Sequence, residues 1–156
     1  MVKRLLDDKD YSLWILLLQV RDYTWRLRQI KLKRYGITPE EAGVLLSIDI
    51  LGDNAIPTEI ARWMYRKHNT ILSILDRMEK KGLIKKRMDS DKNIYLRVTL
   101  TDKGRQAYYQ STDIDYIRRI MSSLNEEQRK QLILSLQALR DAVLRELGME
   151  QKPPFP

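Results

Sequence analysis

Polar and basic side chains of types that bind nucleic acid repeat at helical spacing in the middle of the chain. Asn69, Thr70 and Ser73 carry amide and hydroxyl groups that can hydrogen-bond to the edges of bases, and Arg77 can contact a base or the backbone. The apolar residues of the same segment recur three and four positions apart and are Ile71, Ile74, Leu75 and Met78. We therefore predict a helix over residues 69–81 that buries its apolar side and presents the polar side chains to a DNA major groove.

Basic residues are concentrated in this same part of the chain. Between Arg62 and Lys92 there are ten lysines and arginines against four acidic residues. Such a surface attracts a polyanion, and affinity for duplex DNA then falls with salt by a log–log slope of about 0.9 per phosphate contact. The further DNA-binding residues that we predict, as phosphate contacts or in the minor groove, are Arg62, Lys67, His68, Arg87, Lys92 and Asn93.

A second short helical pattern precedes this helix, and a hairpin pattern follows it. Pro57 suits a first helical turn, and the inward-facing residues of that turn and the next are Ile60, Ala61 and Met64. Asn69 or Thr70 is expected to cap the following helix, and Gly82 to end it. From there the apolar period changes to two, which predicts strands over 83–88 and 94–100 joined by a polar turn.

The order of these motifs resembles the MarR-type (multiple antibiotic resistance regulator) transcription factors. The matching residues are Glu59-Ile60-Ala61, the run from Asp76 to Ile84, Arg87, Asp91 and Leu100-Thr101-x-x-Gly104. The resemblance implies a mainly α fold with a small β-hairpin wing. It places a winged helix-turn-helix DNA-binding domain at 37–100, flanked by long N- and C-terminal dimerisation helices at 1–36 and 101–156. It also implies a homodimeric regulator of transcription, a repressor that binds a pseudo-palindromic operator in double-stranded DNA.

Two departures from the family pattern leave other functions open. The wing carries Asp91-Lys92-Asn93 where the family usually has Asp-x-Arg, and Leu72 takes a position on the second helix that is often polar. Lys92 or Asn93 would then reach toward the minor groove in place of the arginine. The alternatives are a protein-interaction adaptor on a winged-helix scaffold and a nonspecific architectural DNA binder.

Long apolar stripes mark both ends of the chain as helical. We predict a first helix from about Tyr11 to Arg34, a short helix capped at Thr38 by a capping box, a helix from Thr101 to about Ser123, and a last helix that ends at Gly148. Such stripes exceed what about 80 residues of winged domain can cover. A two-fold homodimer built from both chain ends is therefore expected.

Aromatic residues of the first helix are candidates for a small-molecule effector site. Trp14, Tyr23 and Trp25 lie on this helix, and members of the resembled family often bind small aromatic effectors. Packing in the core or in a dimer interface is the competing interpretation of the same side chains.

Composition excludes several other classes of protein. The 156 residues contain no cysteine and one histidine, and we find no glycine-rich phosphate loop or serine elbow. We therefore expect no catalytic residue, no metal site and no cofactor. The net charge of +8 favours a polyanionic partner. The longest apolar run, Leu13 to Leu18, is far shorter than the roughly 20 residues that span a bilayer, and no signal peptide is evident, so a cytoplasmic protein without a membrane partner is expected.

Overall fold

A computed structural model of the protein describes residues 5, 7–89 and 95–149. Of Asp89 and Tyr95 it describes the backbone only. These described residues are mainly helical, with one antiparallel hairpin, as the sequence predicted. Its elements, in order, are α1 (Lys9–Lys33), α2 (Pro39–Leu51), a short 3-10 turn (Gly52–Asn54), α3 (Pro57–Met64), α4 (His68–Lys80), β1 (Ile84–Asp89), β2 (Tyr95–Leu100), α5 (Asp102–Ser111), α6 (Asp115–Met121) and α7 (Glu126–Glu146).

The hydrophobic core lies where α2, α3, α4, the hairpin and α5 meet. Its most completely buried side chains are Val44, Leu45, Ile60, Ile71, Leu75, Met78, Ile84 and Val98. The predicted inner faces of α3 and α4 are confirmed, because Ile60 and Ala61 are buried, Met64 packs against the core, and the four apolar positions of α4 are all buried. Since one side of α4 is fixed in the core, its other side must face outward.

The hairpin pairs β1 with β2 in an antiparallel register that runs from Ile84 opposite Leu100 to Asp89 opposite Tyr95. Val98 is buried in the core, and its backbone N–H donates to the carbonyl of Ala55 at 2.9 Å, which holds β2 against the segment that precedes α3. The predicted tip residues 90–94 lie outside the described residues. The base of the wing is thus anchored to the helix-turn-helix.

The Leu-Thr-x-x-Gly motif forms a joint between the end of α4 and the start of α5. Thr101 caps α5 by accepting the N–H of Gly104 at 3.0 Å, and its hydroxyl lies 2.6 Å from the carbonyl oxygen of Gly82. The N–H of Thr101 donates to the carbonyl of Leu83 at 3.1 Å. Gly82 has φ +72°, a conformation that favours glycine, so it ends α4 as predicted.

Two predictions about helix boundaries were wrong. The helix expected from Thr101 to about Ser123 is interrupted between Ser111 and Asp115. The hydroxyls of Ser111 and Thr112 each donate to backbone carbonyls three residues earlier at 2.7 Å, a local alternative to continuing the helix. Asp113, inside the interruption, forms an ion pair at 3.2 Å with Arg34 at the end of α1.

The start of α4 also differs from the prediction. The helix begins at His68, with Lys67 at the capping position in an extended conformation and without a capping side-chain hydrogen bond. Asn69 and Thr70 therefore lie inside the first turn and do not cap the helix. Both side chains are exposed, so they are available to contact another molecule.

The terminal helices keep large apolar side chains exposed. Those of α1 include Leu13, Leu16, Val20, Tyr23 and Ile30, and those of α7 include Leu132, Ile133, Leu136, Leu139 and Val143. On α7 only Leu144 is buried. Within the described ranges, none of the helices has the length and apolar character needed to cross a membrane.

Candidate nucleic-acid interface

The outward side of α4 carries the side chains that the sequence singled out for base contacts. Asn69, Thr70, Ser73 and Arg77 are all exposed, whereas the opposite side of the helix is buried. The four side chains line one cleft of about 1110 Å³, so the structure brings them together. We call this feature the polar cleft, and it runs between α4 and the corner that joins α1 to α2.

The polar cleft has a second wall that the sequence did not predict. It is formed by residues at the end of α1, the α1–α2 corner and the first turn of α2, among them Lys33, Gly36, Thr38 and Glu40. Arg66, which precedes α4 in the chain, also lines the cleft. Lys33 and Arg66 are both exposed. The polar cleft therefore holds two exposed cations beside the row of predicted base contacts.

A tight turn between α3 and α4 places basic residues beside the start of α4. Tyr65 ends α3 in a left-handed conformation, with φ 55° and ψ 47°, and the N–H of Arg66 returns to the carbonyl of Ala61 at 3.0 Å. Lys67 follows, also exposed, and His68 opens the helix. The first turn of α4 contains no acidic residue, so its free N–H groups and these side chains together make this end of the helix positive.

The predicted phosphate contact Arg62 is exposed but has an intramolecular partner. Its guanidinium lies 2.9 Å from the carboxylate of Glu59, one turn earlier on α3. An exposed pair of this kind contributes little stability and exchanges readily with a phosphate. Arg87 lies on β1 with an exposed side chain, while Lys92 and Asn93 lie outside the described residues.

Lys86 connects the wing to α4. Its ammonium lies 2.5 Å from the carboxylate of Asp76 and 3.0 Å from that of Glu79, and only 17% of its side chain is exposed. The hydrogen bonds from Lys86 hold the pKa values of Asp76 and Glu79 below their usual range, and those same bonds raise the pKa of Lys86. The two carboxylates of α4 are thereby neutralised, and Lys86 is engaged within the protein.

A second ion pair ties α2 to the end of α4. The carboxylate of Glu41 is 1% exposed and lies 2.8 Å from the ammonium of Lys81, which also donates to the carbonyl of Gly36 at 3.1 Å. Glu41 and Thr38 form the predicted capping box at the start of α2. The orientation of α4 relative to α2 is therefore fixed at the floor of the polar cleft.

An apolar cleft of about 670 Å³ lies on the other side of α2. Its lining residues include Trp25, Leu46, Tyr108, Ile117 and Met121. Burial raises the pKa of Tyr108, and a hydrogen bond with Asp49 adds to the effect. Arg28, also in the lining, donates to the hydroxyl of Tyr116 at 2.8 Å.

The three aromatic candidates for an effector site are not brought together within this chain. Trp25 is half-buried and lines the apolar cleft, but Trp14 and Tyr23 lie outside it, 50% and 69% exposed. Across the part of the chain that the structure describes, no three metal-ligating side chains group closely enough to hold a metal ion.

Comparisons with known proteins give structural relatives only. No protein-family model and no curated protein sequence matches the chain. The organohalide-sensing transcriptional regulator RdhR, in its 2,4-dichlorophenol-bound form, is 27% identical with a TM-score of 0.83, over 96% of this chain and 90% of that one.

Two further solved structures contain DNA. MepR from Staphylococcus aureus, in a complex with DNA, is 21% identical with a TM-score of 0.77, over 87% of this chain and 99% of that one. A mutant of MarR from E. coli, complexed with operator DNA, is 21% identical with a TM-score of 0.75, over 82% of this chain and 93% of that one. In its fold, the chain is similar to these regulators, with a winged helix-turn-helix between long terminal helices.

Proposed function

We propose that the protein is a sequence-specific, duplex-DNA-binding regulator of transcription that represses from a pseudo-palindromic operator as a homodimer. The observation that carries the proposal is α4, a helix with one side locked in the core and a row of hydrogen-bonding side chains on the other. A helix of about 10–12 Å diameter fits the major groove, which is about 12 Å wide. The DNA complexes of MepR and MarR, which share this fold, support the same use of it.

The geometry suggests a division of roles among the candidate residues. Asn69, Thr70 and Ser73 would contact base edges, and Arg77 would contact a base or the backbone. The phosphate contacts would come from exposed basic residues around α4 and on β1, namely Arg62, Lys67, His68 and Arg87. Lys92 and Asn93 stay predicted minor-groove contacts from the wing. Base contacts set the preferred sequence, whereas phosphate contacts strengthen binding to every sequence.

The exposed apolar faces of α1 and α7 support the proposed homodimer. Side chains such as Leu16 and Leu136 are about half exposed in the single chain, and each face runs along most of its helix. A contiguous apolar surface of this length is unusual on a monomer. A two-fold arrangement would cover both faces and present two copies of α4 to successive major grooves, about 34–36 Å apart.

A fluorescence-anisotropy titration tests the proposed function. The probes are duplex DNA from the region upstream of the protein's own reading frame and a scrambled duplex, each at several salt concentrations. A preference of about 10³-fold or more near physiological salt supports a sequence reader. Equal, salt-dependent binding to both duplexes would indicate an architectural DNA binder or an operator elsewhere. No binding even at low salt would favour a protein-interaction adaptor.

Three variants test the division of roles. Ser73→Ala should change the ratio of affinities for the two duplexes, whereas Lys67→Ala should weaken both by the same factor. Lys130 on α7 provides the charge-matched control, because it lies outside the candidate surface and pairs only with Glu126 at 3.5 Å among the described residues. Lys130→Ala should leave both affinities close to those of the unaltered protein. Equal effects of Ser73→Ala on both duplexes would contradict a base-reading role.

The apolar cleft supports regulation by a small aromatic effector. It is mostly apolar, of a size typical of ligand pockets, and has Trp25 and Tyr108 in its lining. RdhR, the relative with the ligand-bound structure, holds 2,4-dichlorophenol. A titration with 2,4-dichlorophenol, followed by tryptophan fluorescence in the protein and in Trp25→Leu, should give a saturable change that the variant lacks. A linear, unsaturable response in both proteins would speak against this site.

A further inference from the structure

We infer that the polar cleft, through Lys33 and Arg66, binds the DNA phosphate backbone beside the bases that α4 contacts. The inference rests on the proposed function and extends it to two residues outside the predicted set. It assigns a role in DNA binding to the last turn of α1, a helix that the sequence assigned to dimerisation.

The position of the polar cleft gives the first argument. One of its walls is made of Asn69, Thr70, Ser73 and Arg77, the side chains proposed to enter the major groove. The groove is bordered by two phosphate strands, and α4 nearly fills its width. A duplex engaged by this wall therefore places a backbone strand in the space beside it, which is the polar cleft.

The distribution of charge gives the second argument. Among the described residues, Lys33, Arg66 and Arg77 form no ion pair, although all three line the polar cleft. The other cation of the lining, Lys81, is bound to buried Glu41. Glu40 is the remaining carboxylate of the lining, so the cations without an ion pair outnumber it. An excess of exposed cations in a concave site favours a polyanion strand.

The wing lies on one side of α4 and the polar cleft on the other. Lys33 and Arg66 therefore do not reach the phosphate strand next to the wing. The side toward the wing carries Asp76 and Glu79, which Lys86 of β1 binds. The side toward the polar cleft carries Ser73 and Arg77. Lys33 and Arg66 thus contact the strand on the opposite border of the groove from the wing, while the strand next to the wing is left to Arg87 of β1.

Salt-dependent binding provides the test, because phosphate contacts are independent of sequence. The probe is a random-sequence duplex of roughly 40 base pairs, which is long enough for both subunits of a dimer to contact successive major grooves about 10 base pairs apart. Lys33→Ala and Arg66→Ala each remove one phosphate contact from each subunit. Each should therefore reduce the slope of log K against log salt by about 0.9 for every subunit that is bound. The double variant should lose about twice as much.

Matched variants separate charge from structure. Arg66→Lys retains the cation and should keep nearly the full slope, and Lys130→Ala on α7 should also keep it. Thermal unfolding of each variant verifies that the fold is intact. Slopes that stay unchanged in Lys33→Ala and Arg66→Ala, with normal binding by the unaltered protein, would overturn this inference and leave the proposed function standing. Failure of the unaltered protein to bind any duplex at low salt would overturn both.

Discussion

Replacing Gly104 with alanine should destabilise the protein strongly, because the glycine allows α5 to approach the start of β1. A Cβ at this position would lie 1.9 Å from the carbonyl oxygen of Leu83 and 3.0 Å from its carbonyl carbon. Both are backbone atoms at the joint between α4, the wing and α5. They cannot rotate away as the end of a flexible side chain can, so the backbone has to move by more than about 1 Å to restore an ordinary contact.

The size of the effect follows from three contributions. Overpacking of this kind costs about 1–3 kcal/mol. Displacing Leu83 also disturbs its hydrogen bond with the N–H of Thr101, a loss of about 1 kcal/mol. Alanine offsets up to about 1 kcal/mol through its higher helix propensity. The net change in the free energy of unfolding is about 1–3 kcal/mol, and the melting temperature should fall by roughly 2–12 °C for a chain of this size.

Circular dichroism during heating measures the change, with all proteins at one concentration because a dimer melts at a concentration-dependent temperature. Gly43→Ala is the matched control. It also adds a Cβ inside a helix, but the nearest atom is the terminal methyl carbon of Met64 at 2.9 Å, and a methionine side chain adapts easily. The control should melt at or above the temperature of the unaltered protein. If Gly104→Ala melts as the control does, the proposed role of this glycine is refuted.

Two further substitutions test the ion pairs that hold α4. Lys86→Met should lower the melting temperature above pH 4.5 and have progressively less effect as the pH falls below 3.8. The reason is that Lys86 lowers the pKa values of Asp76 and Glu79, so its bonds to them stabilise the fold only while these groups are ionised. A loss of melting temperature that stays constant from pH 7 to acid would contradict this. Lys81→Met should lower the free energy of unfolding, measured in urea, by about 1–3 kcal/mol, because it leaves the buried carboxylate of Glu41 without its cation. Adding Glu41→Gln to this variant should recover part of the loss. Strictly additive effects of these two changes would refute the coupling.

Local sequence signals were sufficient to predict most elements of the winged domain. The spacing of Ile71, Ile74, Leu75 and Met78 determines which side of α4 is buried, and the side chains between them must then be exposed. Thr38 and Gly82 act through hydrogen bonds and backbone conformations within a few residues. Signals of this kind depend little on the rest of the chain, so the sequence displays them directly.

Contacts between distant segments were not predictable in the same way. Lys86 counted as one more cation in a basic segment, but the hairpin places it between two carboxylates of α4. Lys33 lies more than thirty positions before α4, and it lines the same cleft as α4 because the chain turns at Gly36. The interruption after Ser111 was missed as well, since hydroxyl groups bond to backbone carbonyls there and the apolar pattern continues through it.

The basic character of the segment around α4 therefore overstates the charge available to DNA. Lys81 and Lys86 are engaged by carboxylates of the protein, and Arg62 pairs with Glu59. Counterion release depends on cations that actually contact phosphate, so the measured salt slope should fall below the value that ten basic residues per subunit would give. Lys33 lies outside the basic segment, so the phosphate contact proposed for it is not among those ten residues.

Helix α1 connects the polar cleft to the apolar face proposed for the dimer. Its last turn holds Lys33 in the polar cleft, and Leu32 beside it is buried in the winged core, whereas the rest of the helix exposes the apolar face proposed for the dimer. A rotation of α1 within a dimer would therefore be transmitted through Leu32 to the core and would move Lys33 relative to Arg77. Since Trp25 of the same helix lines the apolar cleft, a ligand that tilts α1 would act on the spacing of these cations. Effector binding and phosphate contact would then both depend on the position of α1.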